Sequence, residues 1–327
     1  MVVASPTPVG CDKIQSIGVP VIDFSWKKGQ VMEAVVRACE EYGFFKLINH
    51  GVPKDVIRRM EEEGHHFFGR PASEKQRAGP PDPLGYGNKN IGFNGDMGEI
   101  EYLLLPTNPL SIAQRSKAIC RDPVSFCLVV NGYIEAVRGL ACEILDLLSE
   151  GLRIKDKRTL SRLIKASDND SMFRINHYPS CEDKGSDSDV STQCRIGFGE
   201  HSDPMMLTIL RSNDAGGLQI SVEDGVWLPI PPDPSAFYVN VGDALQALTN
   251  GRFLSVRHRA MAHSIKPRMS TIYFAAPPLH AWISPLPEMV TPQNPSRYRP
   301  FTWAEYKRTT YSLRLGESRL NLFKTLT

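Results

Sequence analysis

The chain has 327 residues, of which 41% are hydrophobic, enough to bury a large core in one big domain or two. Its formal net charge is only +2, with no basic block and no stripe of interleaved basic and aromatic residues, so a nucleic-acid partner is not expected. No apolar run approaches the ~20 residues that span a bilayer, and Met1-Val2-Val3-Ala4-Ser5-Pro6 lacks a basic region followed by a long apolar one, so the expectation is a cytoplasmic or nuclear protein with no membrane partner.

Helix signals come first along the chain. Gln30 to Glu41 places Val31, Ala34, Val35, Ala38 and Cys39 at helical spacing ahead of the β-like run Phe44 to Ile48. Pro53 opens a second helix, Lys54 to Phe68, at a first-turn position that tolerates proline. A stretch rich in Gly, Pro and Asn runs from Gly79 to Gly98, followed by a strand over Ile100 to Leu105. A long helix is predicted over Pro123 to Gly151, where Val130, Ile134, Val137, Ala141, Ile144, Leu145 and Leu148 form an apolar stripe that reads as core.

From Phe173 the periodicity changes. Short strands are predicted at Phe173–His177, Leu207–Arg211, Leu218–Ser221, Val226–Ile230, Ala236–Val241, Leu245–Thr249, Val256–Ala262 and Ser270–Ala275. Asp224-Gly225 and Asn250-Gly251 read as tight hairpins between them. The segment Cys181 to Cys194 is polar and reads as a mobile loop near the mouth of a barrel. A last helix, Trp303 to Leu315, opens on Thr302 with Glu305 three residues on, a capping box. The expected fold is mainly β with flanking helices, built on a double-stranded β-helix, or jelly roll. It divides into an N-terminal support region 1–170, a core 171–280 and a C-terminal helical segment 281–327, all one catalytic unit. Seven cysteines, scattered and without a C-x-x-C pair, are expected as free thiols.

The chemistry-bearing residues lie in the β-like half. His201 and Asp203 are two apart, so on an extended strand they face the same side, and His258 can join them from a distant strand folding back. Two imidazoles and a carboxylate can occupy one face of an octahedral iron and leave the opposite face open, the arrangement of non-haem Fe(II) oxygenases. Arg268 and Ser270 repeat the two-residue spacing and offer a forked cation plus a hydroxyl to a carboxylate. A single His is more often a surface or core residue, and H-x-D alone is common by chance. It is the conjunction of H-x-D, a later His and R-x-S in β-like sequence that points to a metal. His263 stands five residues past His258, on the other face of the same predicted strand, and is read as structural. His50, His65, His66, His177 and His280 are read as helix or turn residues without a partner carboxylate at matching spacing.

These residues carry a family resemblance over nearly the whole chain. Gly43-Phe44-Phe45-Lys46-Leu47-Ile48-Asn49-His50-Gly51, Asn176-His177-Tyr178-Pro179, Gly199-Glu200-His201-Ser202-Asp203-Pro204 and the Arg268/Ser270 pair resemble the plant 2-oxoglutarate- and Fe(II)-dependent dioxygenases. More narrowly the chain is similar to the gibberellin 2-oxidases, through Gly85 to Lys89, Ile91 to Asp96, Glu101 to Leu105, Leu210 to Asn213, Gln246 to Phe253 and Tyr311 to Leu315. The resemblance implies His201, Asp203 and His258 as iron ligands. It implies Arg268, Ser270 and the Tyr178 hydroxyl at the far carboxylate of 2-oxoglutarate, and Asn176 near its iron-bound end. The chain departs from the family at Ser180, where Pro is usual, and at Ser202 and Met205, where Thr and Gln are often found.

The implied reaction is hydroxylation of a gibberellin at C2, with O2 and 2-oxoglutarate as cosubstrates, ascorbate as reductant and loss of hormone activity as the outcome. A gibberellin is a rigid apolar polycycle with a carboxylate, so Tyr86, Phe93 and Tyr102 are expected as apolar wall, and Lys89, Tyr311 and Arg314 as carboxylate partners. A sister dioxygenase acting on another gibberellin position, a flavonoid or another plant metabolite would keep the same iron set. So would an ascorbate-driven relative such as aminocyclopropane-carboxylate oxidase, and a non-enzymatic hormone-binding protein of this fold is a further alternative. The sequence sets no oligomeric state.

Overall fold

Apolar helical faces and alternating strands sort the chain into a helical layer and two sheets. The computed structural model describes residues 18–91, 94–180, 195–223, 225–262 and 266–325. The first half contains β1 (Val21–Asp23), α1 (Lys28–Glu41), β2 (Phe44–Ile48), α2 (Lys54–Phe68), α3 (Ala72–Lys75), β3 (Gly85–Asn90), β4 (Met97–Pro106), α4 (Pro109–Ile119), α5 (Pro123–Gly151) and α6 (Thr159–Lys165). The second half contains β5 (Met172–Tyr178), β6 (Arg195–His201), β7 (Leu207–Ser212), β8 (Leu218–Glu223), β9 (Val226–Pro229), β10 (Phe237–Val241), α7 (Asp243–Leu248), β11 (His258–Ala262) and β12 (Arg268–Ala275). A short pair, β13 (Trp282–Ile283) and β14 (Phe301–Thr302), precedes α8 (Trp303–Ser312).

The strands form an eight-stranded sheet, in the order β1-β2-β10-β7-β12-β5-β4-β3, and a four-stranded sheet, β6-β11-β8-β9. Every pair but β1–β2 is antiparallel. Phe44, Leu210, Tyr238 and Ile272 of the large sheet pack on Leu218, Ile220 and Leu228 of the small one. A larger core joins the outer side of the large sheet to α1, α2 and α5. The first four strands belong to the large sheet, so the support region and the barrel share one hydrogen-bonded layer.

Helices α4, α5 and α8 open on a side-chain cap. Asp122 accepts from the Ser125 amide at 3.0 Å with Pro123 in the first turn, and Thr302 accepts from the Glu305 amide at 3.2 Å. By length and apolarity α5 could cross a membrane, an exception to the reading that no run is long enough. Here its stripe, from Val130 to Leu148, is buried against the neighbouring helices and the large sheet. The four cysteines among the described residues, Cys39, Cys120, Cys127 and Cys142, are free thiols.

Several expectations are corrected. Leu245–Thr249, read as a strand, belongs to α7 and the turn that ends it. Asn250-Gly251 is therefore a helix stop, not a hairpin. Both residues take positive φ, 54° and 79°, and the Gly251 amide reaches back to the Gln246 carbonyl at 2.8 Å, as in a Schellman motif. The other hairpin stands, since β8 and β9 pair across a turn containing Gly225 at φ 81°. Strands β1, β3 and β6 and helices α4 and α6 were not foreseen. Cys181 to Cys194, read as a mobile loop, and His263 lie outside the described residues.

Candidate active site

The small sheet delivers both imidazoles. His201 ends β6 and His258 begins β11, and the two are direct partners in the antiparallel ladder. Asp203 follows where the chain leaves β6, fixed by α7: the Asp243 amide donates to the Asp203 carbonyl at 2.8 Å, and the Thr208 hydroxyl donates to the Asp203 carboxylate at 2.6 Å. One donor atom from each of the three residues lies within 4.8 Å of the others. The Nδ1 atoms face backbone carbonyls, Gly199 O at 2.8 Å for His201 and Val256 O at 3.3 Å for His258. Each Nδ1 therefore donates to a carbonyl, and each Nε2 turns to the Asp203 carboxylate.

Burial, and then the neighbouring His258, push His201 down to about 4, so its imidazole is neutral and able to ligate at neutral pH. Burial alone would raise Asp203; His258, His201 and the Thr208 hydroxyl outweigh it and hold the carboxyl well below its usual range. A carboxylate with two imidazoles, supported by outer hydrogen bonds, fits a divalent iron that keeps open positions.

The large sheet faces this cluster with a second constellation. Arg268 and Ser270 lie on β12 opposite Tyr178 and Asn176 of β5. Arg268 is 2% exposed, donates to the Ser270 hydroxyl at 3.2 Å and lies over the Tyr178 ring at 5.2 Å. Among the described residues no carboxylate pairs with it, so a diacid reaching in from the metal would meet an uncompensated guanidinium. The Asn176 amide is fixed at both ends, accepting from Arg174 Nε at 2.7 Å and donating to the Tyr178 hydroxyl at 3.2 Å. Arg174, Asn176, Tyr178 and Arg268 line one inner cavity with the three candidate ligands, whereas Ser270 is not in its lining and touches the site through Arg268.

Outside it opens a larger cavity of about 1130 Å³, mouth included. Leu104, Met172, Met205, Phe274, Trp303 and Leu315 make it mostly apolar, and His201 and Asp203 form part of its floor.

Residues 169–277 match the 2OG-Fe(II) oxygenase superfamily. Residues 19–103 match the family described as non-haem dioxygenase in morphine synthesis N-terminal. The chain is 55% identical to gibberellin 2-beta-dioxygenase 2 of Oryza sativa subsp. japonica, over 96% of this chain and 89% of that protein. It is 51% identical to gibberellin 2-beta-dioxygenase 4 of Arabidopsis thaliana, over 97% and 98%. Among solved structures it resembles JOX2 in complex with 2OG, Fe and JA, with a TM-score of 0.81 and 28% identity over 94% of this chain and 89% of that one. The chain belongs to the 2OG-Fe(II) oxygenase superfamily.

In this oxygenase Fe(II) and 2-oxoglutarate are the cofactor and cosubstrate, and the triad on β6 and β11 meets the arginine cradle on β12 across one cavity. The residues expected around the organic substrate are more scattered. Tyr102 and Tyr311 line the outer cavity, and so do Ser202 and Met205, two of the positions that depart from the family. Tyr86 does not: its hydroxyl donates to Glu101 at 2.7 Å and its ring packs edge-on against Phe67. Lys89 and Arg314 are exposed and are not among the lining residues. Phe93 lies outside the described residues.

Two further corrections concern histidines. His177 has a carboxylate partner after all, Glu101 at 2.8 Å on the neighbouring strand, and His280 lies 3.4 Å from Asp168 at the surface. The sequence reading overlooked Arg174, Lys307, Phe198 and Trp303 in the cavity wall. Arg174 had a readable signal: it precedes Asn176 by two, the spacing that singled out Arg268 and Ser270.

Proposed function

We propose that this oxygenase hydroxylates gibberellins at C2 and so inactivates the hormone. The observation that carries the reading is that the apolar outer cavity shares His201 and Asp203 with the iron-binding set, so a guest filling it is held against the reacting centre. Relatives at 44–55% identity over nearly the whole chain bear the name gibberellin 2-beta-dioxygenase, and a rigid apolar polycycle suits such a wall.

The residues divide the work. His201, Asp203 and His258 would hold Fe(II). Arg268, Ser270 and the Tyr178 hydroxyl would hold the far carboxylate of 2-oxoglutarate, while Asn176, locked at both ends, presents its amide toward the near end. When bound, Fe(II) and 2-oxoglutarate supply the O2-derived oxidant that hydroxylates the C–H bond, with succinate and CO2 as coproducts. Tyr102, Tyr311, Phe198 and the aliphatic wall position the target carbon and keep water out. The reading extends to ascorbate as reductant and to the cytoplasm or nucleus, supported by the free thiols Cys39, Cys120, Cys127 and Cys142.

The deciding experiment loads the protein anaerobically with Fe(II) and 2-oxoglutarate and then adds O2 with single gibberellins. One succinate per product, a mass gain of one oxygen and an NMR assignment of the new hydroxyl to C2 are expected. A hydroxyl elsewhere, turnover confined to flavonoids, or no succinate at all would replace this reading.

A further inference from the structure

Two neighbouring strands of the large sheet each carry an arginine with a polar companion two residues on: Arg268 with Ser270 on β12, and Arg174 with Asn176 on β5. The ladder register sets them apart. Arg268 pairs with Tyr178, Ser270 with Asn176 and Ile272 with Arg174. The two arginine positions are thus four rungs apart, roughly 13 Å at the usual rise of a strand. Arg268 lines the inner cavity and is absent from the lining of the outer one, whereas Arg174 lines both.

Arg174 is held rigidly but left short of partners. Its guanidinium lies 3.8 Å from the Tyr102 ring centroid and 4.9 Å from that of Phe198, and Nε donates to Asn176 Oδ1. Nη2 is closed to solvent and has no hydrogen-bond partner, and no carboxylate lies within ion-pair distance among the described residues. Aromatic faces offset only part of the cost of burying a cation, so the site is built for an anion that comes and goes.

Of the other cations of the outer cavity, Lys307 is held by a carboxylate and Arg319 by backbone carbonyls, although Arg319 Nε, like Arg174 Nη2, is closed to solvent and has no hydrogen-bond partner. Lys307 Nζ lies 2.8 and 2.7 Å from the two oxygens of Asp170. Arg319 Nη2 donates to the Ser202 and Leu315 carbonyls. The far carboxylate of 2-oxoglutarate has its own cradle at Arg268, several rungs away.

We propose that Arg174 is the anchor for the carboxylate of the organic substrate, which makes this oxygenase selective for bulky apolar monocarboxylic acids. The inference rests on the reading of the outer cavity as the substrate site. Anchored there, the acid lies between the flanking rings, at the boundary where the apolar cavity meets the ligand cluster. Its hydrocarbon body fills the outer cavity, and its reacting carbon stays beside His201 and Asp203.

The test compares binding of a gibberellin acid with that of its methyl ester to the full chain loaded anaerobically with Fe(II) and 2-oxoglutarate. The wild type should prefer the acid. Arg174→Gln should weaken the acid roughly 10- to 100-fold, the range of a buried charge-assisted hydrogen bond. The ester should be little affected, and 2-oxoglutarate affinity should fall by less than acid affinity does, because Arg174 reaches the cosubstrate only through Asn176 while Arg268 is untouched. Arg174→Lys, which keeps the charge but loses the fork, should fall between.

Equal weakening of acid and ester would reduce Arg174 to a packing residue. Loss of 2-oxoglutarate affinity instead would move it to the cosubstrate, and equal wild-type affinity for acid and ester would overturn the anchor with no variant needed. A wild type that binds no gibberellin sinks the functional reading instead. The anchor is then judged by the same acid-and-ester comparison on whichever monocarboxylic acid is turned over.

Discussion

At the scale of single residues, the chemistry of this site depends on a few side chains whose alternatives are costly. Arg268 is almost fully buried and, with no carboxylate paired to it among the described residues, depends on a ligand for charge compensation. Arg268→Ala should raise the KM for 2-oxoglutarate by about 10- to 100-fold, as expected for loss of a charge-assisted contact worth about 1.5–3 kcal/mol. Steady-state succinate formation against 2-oxoglutarate concentration measures it, and an unchanged KM would remove Arg268 from the cradle. Such residues were legible because their types are scarce in strands and recur at a spacing of two, which puts Arg268 and Ser270 on one face of β12. Asp203 lies past the end of β6, so there the spacing found the right residue although the strand stops at His201. The substrate wall was not. Tyr102, Phe198, Trp303 and Tyr311 come from β4, β6 and α8, and ordinary aromatic residues carry no mark of which cavity they will meet.

At the scale of elements, the tyrosines that define the two cavities are seated by glycines on neighbouring strands. A Cβ added at Gly87 on β3 would lie 2.3 Å from the ring of Tyr102, its partner on β4. One added at Gly197 on β6 would lie 2.5 Å from the ring of Tyr178. Neither ring is free to retreat, since each lies against a guanidinium, Arg174 over Tyr102 and Arg268 over Tyr178. Gly87→Ala should therefore raise the KM for the organic substrate and spare 2-oxoglutarate, and Gly197→Ala should do the reverse; kinetics with each cosubstrate varied in turn separate them, and identical profiles would refute the division.

The same strand pair holds a charged network on its other side, where Glu101 of β4 accepts from Lys75 at 2.6 Å, Tyr86 at 2.7 Å and His177 at 2.8 Å. Burial by itself would raise the Glu101 pKa, but these hydrogen bonds outweigh it and hold it below 4.5. A depressed carboxyl stabilises the fold above its unfolded value and loses that contribution as pH falls through the folded one. The melting-temperature gap between wild type and Glu101→Gln should be widest above pH 4.5 and close below it; a gap that is constant with pH would show that the carboxylate charge is not involved. Periodicity found the long elements well, α2 and α5 to the residue. It failed at α7, because the five residues Leu245 to Thr249 are too few for periodicity to distinguish strand from helix, and Asn-Gly satisfies either a hairpin or a left-handed helix stop.

At the scale of the whole molecule, the site is divided between the two sheets. The candidate iron ligands His201 and His258 stand on the small sheet, and Arg268, Ser270 and Tyr178 on the large one. A diacid that reaches from the metal to Arg268 therefore ties one sheet to the other across the inner cavity, whose wall includes Leu210 and Ile272 of the apolar contact between the sheets. A ligand that binds only the folded state adds about 2.7 kcal/mol at a hundredfold excess over its Kd. Fe(II) alone should raise the thermal midpoint modestly, and 2-oxoglutarate alone scarcely, because its near end then has nothing to chelate. Added together under anaerobic conditions they should raise it by more than the sum of the two, and a chelator should reverse the whole gain. Arg268→Ala should keep the metal increment and lose the cooperative part, whereas His258→Ala should lose both. Additive shifts, or a cooperative gain that survives Arg268→Ala, would mean that the diacid does not reach across the two sheets.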